Sequence, residues 1–331
     1  MSYIRLEKGA DGIVELIFDQ QGKTVNVMGD EYAEAMPRAL DELEAMAGEI
    51  KGVYVRSGKP GQFFAGGDIT AMLEMDLDPP AQERQRMFDE LLKSKAPLAR
   101  LERRGVPIAV GINGPALGGG YEIALACHHR IALDTPAVKI GLPEAMLGLM
   151  PGAGGVVRMV RMLGMQEALT LISQGKQLVA QKALEKGLVH ALAADEDDMA
   201  RKAKAWILNN PEARQPWDEP GYAMPGGGPE DPANQGLTYF GPVTVMNQTK
   251  GNMTAPQVII AAVIDTARVD YDTAHKVVAR YFQRLLLDQV SRNMMTTFFV
   301  QMNALDAGAS RPQGIENTDV NKLGILGAGV M

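Results

Sequence analysis

The stretch from residue 110 to residue 127 constrains the fold more than any other: Val-Gly-Ile-Asn-Gly-Pro-Ala-Leu-Gly-Gly-Gly-Tyr-Glu-Ile-Ala-Leu-Ala-Cys. An apolar run enters a turn containing Gly114 and Pro115, and Gly118, Gly119 and Gly120 then open a helix-forming segment. The order repeats along the first half of the chain. Residues 12–18 and 52–57 are short β-rich runs bounded by turn residues, and they read as strands. Between them, residues 30–50 place Ala33, Met36, Leu40, Leu43 and Met46 at helical spacing, with Pro37 expected to kink that helix or delay its start. Residues 84–103 read as helix, 107–112 as strand and 120–126 as helix. Strands alternating with helices predict an α/β fold with a mainly parallel sheet covered on both faces.

Further along, residues 153–190 carry mostly helix signals, with Gly164, Gly175 and Gly187 as stops. Residues 209–236 change abruptly to Pro, Gly, Asn and acidic side chains, which predicts a long loop or linker. Residues 255–305 are helical in character with interruptions near Asp270 and Asp288, and 306–319 read as a second linker. A chain of 331 residues accommodates one sizeable domain and a smaller unit, because single cores stop growing near about 250–300 residues.

Composition narrows the functional classes. With 46% hydrophobic and 22% charged residues the chain falls outside the disordered, collagen-like and disulfide-scaffold classes. The single Cys127 rules out an internal disulfide and leaves no ligand-spaced Cys/His set, so a reducing cytoplasmic setting and no structural metal are expected. The N-terminus lacks the order of a signal peptide, and the longest apolar run, 258–264, is too short to span a bilayer. A net charge of -7 argues against nucleic acid as a main partner. It does not exclude a phosphate-bearing ligand, which needs only a few cations and backbone amides.

Free amides at a helix N-terminus point outward and favour negative charge, and glycines let a substrate carbonyl approach them without a Cβ in the way. A second glycine turn, Phe64-Ala65-Gly66-Gly67-Asp68-Ile69, follows the strand at 52–57. If both turns meet at one sheet edge, an amide from each can grip a single oxygen as an oxyanion hole. Glu122 lies in the first turn of the helix at 120–126, and Gly141-Leu142-Pro143-Glu144 puts another carboxylate on a Pro-stiffened segment. Each of these signals alone has a plainer explanation: a glycine turn is often only a turn, and a first-turn Glu suits the helix dipole. Cys127, His128 and His129 suggest a metal or nucleophile, but adjacent histidines leaving a helix sit more often in a strand or at its edge. His190 and His275 have no supporting pattern. Met146, Met150, Met159, Met162 and Met165 read as apolar packing, with an acyl pocket as the other use.

Taken together, in order and spacing, residues 64–69, 113–122, 141–144 and 151–155 resemble the crotonase superfamily, over roughly residues 3–195. The resemblance implies a crotonase-like ββα spiral with a mainly parallel sheet, followed by a helical region. It implies that a CoA thioester carbonyl sits between the Gly67 and Gly119 amides, with Ala65, Gly66, Asp68, Ile69 and Gly118 shaping the CoA channel. Asp68 is the weaker of these candidates, because a short acid after two glycines is better suited to capping the following helix. Hydratases of the superfamily add two glutamates, and their positions match Glu122, which would serve mainly the water, and Glu144, which would exchange the α-carbon proton. The two lie 22 residues apart, slightly more than the family pattern leads one to expect, and an insertion between Leu133 and Pro136 would absorb the difference.

Past residue 260 the chain is longer than a stand-alone hydratase. The run Leu323-Gly324-Ile325-Leu326-Gly327-Ala328-Gly329 resembles the start of a dinucleotide-binding fold, with Gly327 and Gly329 as the first glycines of its turn. Together with the preceding region it resembles the multifunctional fatty-acid oxidation α-subunits, cut at the start of their 3-hydroxyacyl-CoA dehydrogenase part. The expected organisation is a hydratase core over 1–195 and a helix with a Pro/Gly-rich linker over 196–236. A helical region over 237–305 completes that domain or links to the next, and 306–331 hold a linker and a truncated first strand. Hydration would need no cofactor, NAD would belong only to the intact parent, and the partners would be acyl-CoA and either further copies of the chain or a thiolase subunit. Three readings stay open: a 2-enoyl-CoA hydratase, an enoyl-CoA isomerase on the same fold, and a non-catalytic acyl-CoA-binding or assembly module.

Overall fold

The computed structural model describes residues 3–312, 314–315 and 320–327. Six strands form the main sheet, in the order β1-β2-β3-β4-β6-β9: β1 (Ile4–Lys8), β2 (Ile13–Phe18), β3 (Gly52–Ser57), β4 (Ile108–Ile112), β6 (His129–Leu133) and β9 (Ala191–Ala193). Only the β1–β2 pair is antiparallel; each later neighbour is parallel. A small second sheet holds β5 (Ala116–Leu117), β7 (Lys139–Gly141) and β8 (Gln177–Val179).

The expected α/β architecture with covered faces is therefore present, and strand alternation shows how. Val14, Leu16 and Phe18, Val53 and Val55, and Ile108, Val110 and Ile112 face the main core. Ile13, Tyr54 and Ala109 face the other way, onto Met199, Ala203 and Ile207 of α8 (Glu196–Asn209). With both faces buried, the strands read as near-continuous apolar runs.

Main-core helices are α1 (Asp30–Ala45), α2 (Ile69–Leu73), α3 (Ala81–Glu102), α4 (Gly119–Leu125), α5 (Gly155–Leu163), α6 (Met165–Ser173) and α7 (Ala180–Glu185). Helix α1 begins at Asp30, so Pro37 does not delay it, and it ends before residue 50. Tyr32, Ala35, Met36, Ala39, Leu40 and Leu43 form its buried face, while Ala33 points outward. Burying that stripe outweighs the one hydrogen bond that proline removes. The stretch 153–190 is not helix throughout: β8 interrupts it and pairs with β7, although Gly164, Gly175 and Gly187 do follow helix ends.

Residues 209–236 form a loop tied to the core. Tyr222 Oη donates to the Arg161 carbonyl at 2.6 Å, and Asn234 Nδ2 donates to the Gly226, Gly227 and Gly228 carbonyls. Beyond it come α9 (Gly241–Thr249), α10 (Thr254–Ala267), α11 (Tyr271–Leu286), α12 (Gln289–Met295) and α13 (Met302–Asp306). Asp270 and Asp288, where the sequence signalled breaks, are the side-chain N-caps of α11 and α12. Helices α10 and α11 pack on α5, α6 and α3 within the main hydrophobic core. The same joint holds a buried polar knot: Glu102 Oε2 accepts from Arg158 Nη2 at 2.7 Å and from Tyr271 Oη at 2.5 Å, linking α3, α5 and α11. Among the described residues no helix is long and apolar enough to cross a membrane.

Candidate active site

The first glycine turn runs alongside residue 28 as a single parallel bridge between Met28 and Gly67. Met28 donates to the Gly66 carbonyl at 2.8 Å and accepts from the Asp68 amide at 3.2 Å. Successive amides of an extended segment point to opposite sides, so the Gly67 N–H faces away from Met28. The second turn is stitched to the first: Phe64 donates to the Pro115 carbonyl at 3.1 Å and Leu117 to the Phe64 carbonyl at 3.3 Å. Gly118, at φ 54° and ψ -127°, reverses the chain in a region that side chains avoid, and Gly119 then opens α4 with its amide unclaimed by the helix.

The Gly67 nitrogen lies 3.6 Å from the point a Cβ on Gly119 would occupy, and the Gly119 nitrogen 3.8 Å from the corresponding point on Gly66. Two amides from separate turns thus converge. Among the described residues neither donates to a backbone carbonyl in a turn, loop or cap. An oxyanion hole needs two free amides from separate turns in one such neighbourhood.

Two carboxyls stand beside it in different environments. Glu122 is buried in the first turn of α4, and its Oε1 accepts from the Ala153 amide at 2.7 Å and the Gly155 amide at 2.6 Å. Burial raises its pKa; the two amides, then Arg158 and Lys95, act in the opposite direction. Glu144 sits on a 3-10 turn, Pro143–Leu147, whose proline pre-sets the first φ. Its Oε1 lies 3.0 Å from where a Cβ on Gly118 would project, and its enclosed Oε2 has no hydrogen-bond partner among the described residues. Burial, reinforced by the charge of Glu122, pushes the Glu144 pKa well up. One carboxyl is therefore supplied with donors that favour its charge, and the other lacks them. Burial still leaves the Glu122 pKa raised, so both carboxyls are shifted upward, Glu144 well above its usual range.

The remaining candidates fall apart by role. Asp68 Oδ1 accepts from the Thr70 and Ala71 amides at 3.0 and 3.2 Å, so its carboxylate caps α2. Ile69 is buried in the core, Gly66 is a buried positive-φ turn residue and Ala65 is exposed. Cys127 is buried, with its thiol pushed up to about 12 by desolvation. His128 and His190 accept backbone amides through Nδ1, and His129 begins β6. Of the methionine stretch, Met150, Met159 and Met165 are core residues, whereas Met146 is exposed. Residues 320–327, including Gly327, form no strand or helix; Gly329 lies outside the described residues.

Several contributors were not assigned from sequence. The Ala153 and Gly155 amides orient Glu122 through folding that brings residue 122 against residues 153–155. Helix α12 braces both arms of the site: Ser291 Oγ donates to the Gly148 carbonyl at 2.6 Å, behind the Glu144 turn, and Arg292 Nη2 donates to the Met75 carbonyl, just past α2. The thioethers of Met28 and Met72 approach within 3.2 Å of where Cβ atoms on Gly119 and Gly67 would lie, so both pack against the two glycine turns. The glycine turns were visible in sequence; their bracing from residues 291 and 292 had no local signal.

Residues 9–213 match the enoyl-CoA hydratase/isomerase family. Among curated relatives, the fatty acid oxidation complex subunit alpha of Idiomarina loihiensis is 31% identical over 98% of this chain and 44% of its own length. The subunit of the same name from Shewanella halifaxensis is 32% identical over 98% and 44%. The chain thus spans less than half the length of these relatives. Among solved structures, an enoyl-CoA hydratase from Bacillus halodurans shares the fold at TM-score 0.58 and 17% identity, covering 89% of this chain and 100% of that one. One from Bacillus anthracis does so at TM-score 0.53 and 20% identity, covering 93% and 96%. With the two converging glycine turns, the paired glutamates and a family match across residues 9–213, the chain belongs to the enoyl-CoA hydratase/isomerase family.

Proposed function

We propose that this chain hydrates 2-enoyl-CoA thioesters to 3-hydroxyacyl-CoA, as a step of fatty-acid β-oxidation. The observation that carries the reading is a pair of carboxyls with unlike surroundings, Glu122 buried and Glu144 half-buried, beside two convergent amides. The thioester oxygen is held by the Gly67 and Gly119 amides, which stabilise the negative charge that develops when the double bond is attacked. Glu122, ionised and oriented through Oε1, takes a proton from water as the oxygen bonds to the β-carbon. Glu144, kept protonated by burial and by the neighbouring charge, delivers its proton to the α-carbon. One water is added across the double bond, and both carboxyls are reset by passing one proton from Glu122 back to Glu144.

The second carboxyl favours hydration over a simple double-bond shift, which a single proton-transferring group can accomplish. The test is loss of the enoyl-thioester absorbance with crotonyl-CoA and a longer 2-enoyl-CoA. Glu122→Gln and Glu144→Gln are each expected to lose at least about 100-fold in kcat while still binding the thioester, since each removes a positioned proton-transfer group. Thioester binding without turnover by the wild type would instead mark a non-catalytic module.

The fragment reading rests on the 44% coverage of the longer relatives. In it, residues 1–195 form the hydratase core and 237–305 complete it, and the remainder of a longer protein oxidises the hydroxyacyl product with NAD. The residues present here do not fit NAD: 320–327 form no strand-turn-helix unit, so no step of this chain's chemistry runs through that cofactor. Self-association or a thiolase partner, and a cytoplasmic setting, belong to the same proposal.

A further inference from the structure

A buried cation lies behind the loop that holds Glu122, and the hydration scheme above makes no use of it. Lys95, on α3, is only 4% exposed, and its ammonium has one long contact, to the His275 carbonyl of α11 at 3.5 Å. The His275 ring is enclosed as well, and neither ring nitrogen has a partner among the described residues. Its Cε1 lies 2.6 Å from where a Cβ on Gly154 would project, and Gly154, at φ 107°, sits between the two residues whose amides hold Glu122. Lys95, His275, residues 153–155 and Glu122 are thus contiguous. A buried ammonium with a single long hydrogen bond costs stability, and a fold retains one more readily where its charge is used.

We propose that Lys95 is a positioning residue for the hydratase reaction, its ammonium supplying from behind the 153–155 loop part of the positive field that keeps Glu122 ionised as the water-activating base. The inference rests on the reading of Glu122 given above. Other charged and titratable groups face the same pocket. Glu144 opposes the charge on Glu122, Arg158 supports it, and the Tyr32 hydroxyl lies within its field. Arg158, Arg161 and Arg103 act with Lys95 on His275, which is pushed down to about 2 by burial and stays neutral. Glu102 neutralises Arg158, and Asp218 and Asp272 pair with Arg103; of the two cations without a carboxylate ion pair among the described residues, Arg161 donates to the Val157 and Val269 carbonyls, whereas Lys95 has its one long contact and acts on Glu122.

The sign of the effect follows from Lys95 itself, lowered by burial to about 7. Below that value the ammonium is charged and favours ionised Glu122; above it the charge is lost and the help disappears. Lys95→Met keeps the aliphatic stem and removes the charge. The measurement is the pH profile of kcat/KM for crotonyl-CoA between pH 5 and pH 9. The acid limb of Lys95→Met is expected to move up by about one unit, the lower end of what a nearby opposite charge does, giving up to about a tenfold loss near pH 6. The two profiles should converge above pH 8, where wild-type Lys95 is neutral. A merely structural role would lower the rate equally at every pH. Lys95→Gln, which keeps a donor for the His275 carbonyl, gives the same comparison if Lys95→Met does not fold. If the wild type turns over and the variants keep its acid limb, or lose activity in parallel across the range, the inference falls and the hydratase reading stands. If the wild type binds crotonyl-CoA without turnover, both fall.

Discussion

Replacing Tyr271 by Phe deletes one hydroxyl from the buried knot between the catalytic core and the later helices, and nothing else. Glu102 and Arg158 have side chains with 0% exposure, and Glu102 Oε2 takes Arg158 Nη2 at 2.7 Å, Arg158 Nε at 3.2 Å and Tyr271 Oη at 2.5 Å. The ring keeps its neighbours after the change: Trp217 stacks at 6.0 Å, His275 meets it edge-on at 4.7 Å and Arg103 lies 4.6 Å over its face. The loss is therefore one hydrogen bond to a charged acceptor, with the carboxylate still paired to arginine, or about 1.5–3 kcal/mol. Removing Arg158 instead would strand a buried carboxylate, at about 3–5 kcal/mol. Reversible urea unfolding followed by tryptophan fluorescence measures the difference, since Trp217 reports on this joint. The expected result is a lower midpoint at unchanged slope, with crotonyl-CoA hydration at low urea within about twofold of wild type. A loss below about 0.5 kcal/mol, within the scatter of ordinary surface substitutions, would refute the argument that this hydroxyl is an essential member of the knot.

Ser291→Ala leaves the Gly148 carbonyl without its 2.6 Å donor behind the Glu144 turn. An unsatisfied buried acceptor costs about 1–3 kcal/mol, and the expected kinetic signature is a fall in kcat with little change in KM, read from crotonyl-CoA saturation curves. Asp68→Ala removes the side-chain cap of α2. It should cost about 1 kcal/mol in urea unfolding and leave the KM for crotonyl-CoA nearly unchanged; a large rise in KM would show instead that the carboxylate meets the substrate.

Much of this protein follows from local rules. Alternating apolar runs and glycine stops located β2, β3, β4 and α4, because strand and helix periodicities depend on neighbouring residues only. The breaks near Asp270 and Asp288 were legible too, and the structure shows why: each short acid accepts a free amide of the next helix's first turn, α11 and α12. The glycine turns and both glutamates were legible for the same reason: each is a short motif with its chemistry on board. Where Pro37 would matter, and that 177–179 would leave helix for a strand, were decided by burial and by pairing with β7, which no local pattern reports. The different characters of Glu122 and Glu144 belong to the tertiary structure alone. They depend on amides at 153 and 155, a cation at 95, an arginine salt-bridged to residue 102 and a brace from residue 291. A carboxyl's pKa is set by whatever charges, donors and low-dielectric walls the fold brings within a few ångströms, so sequence could name the acids while only the packed chain could give them unlike surroundings.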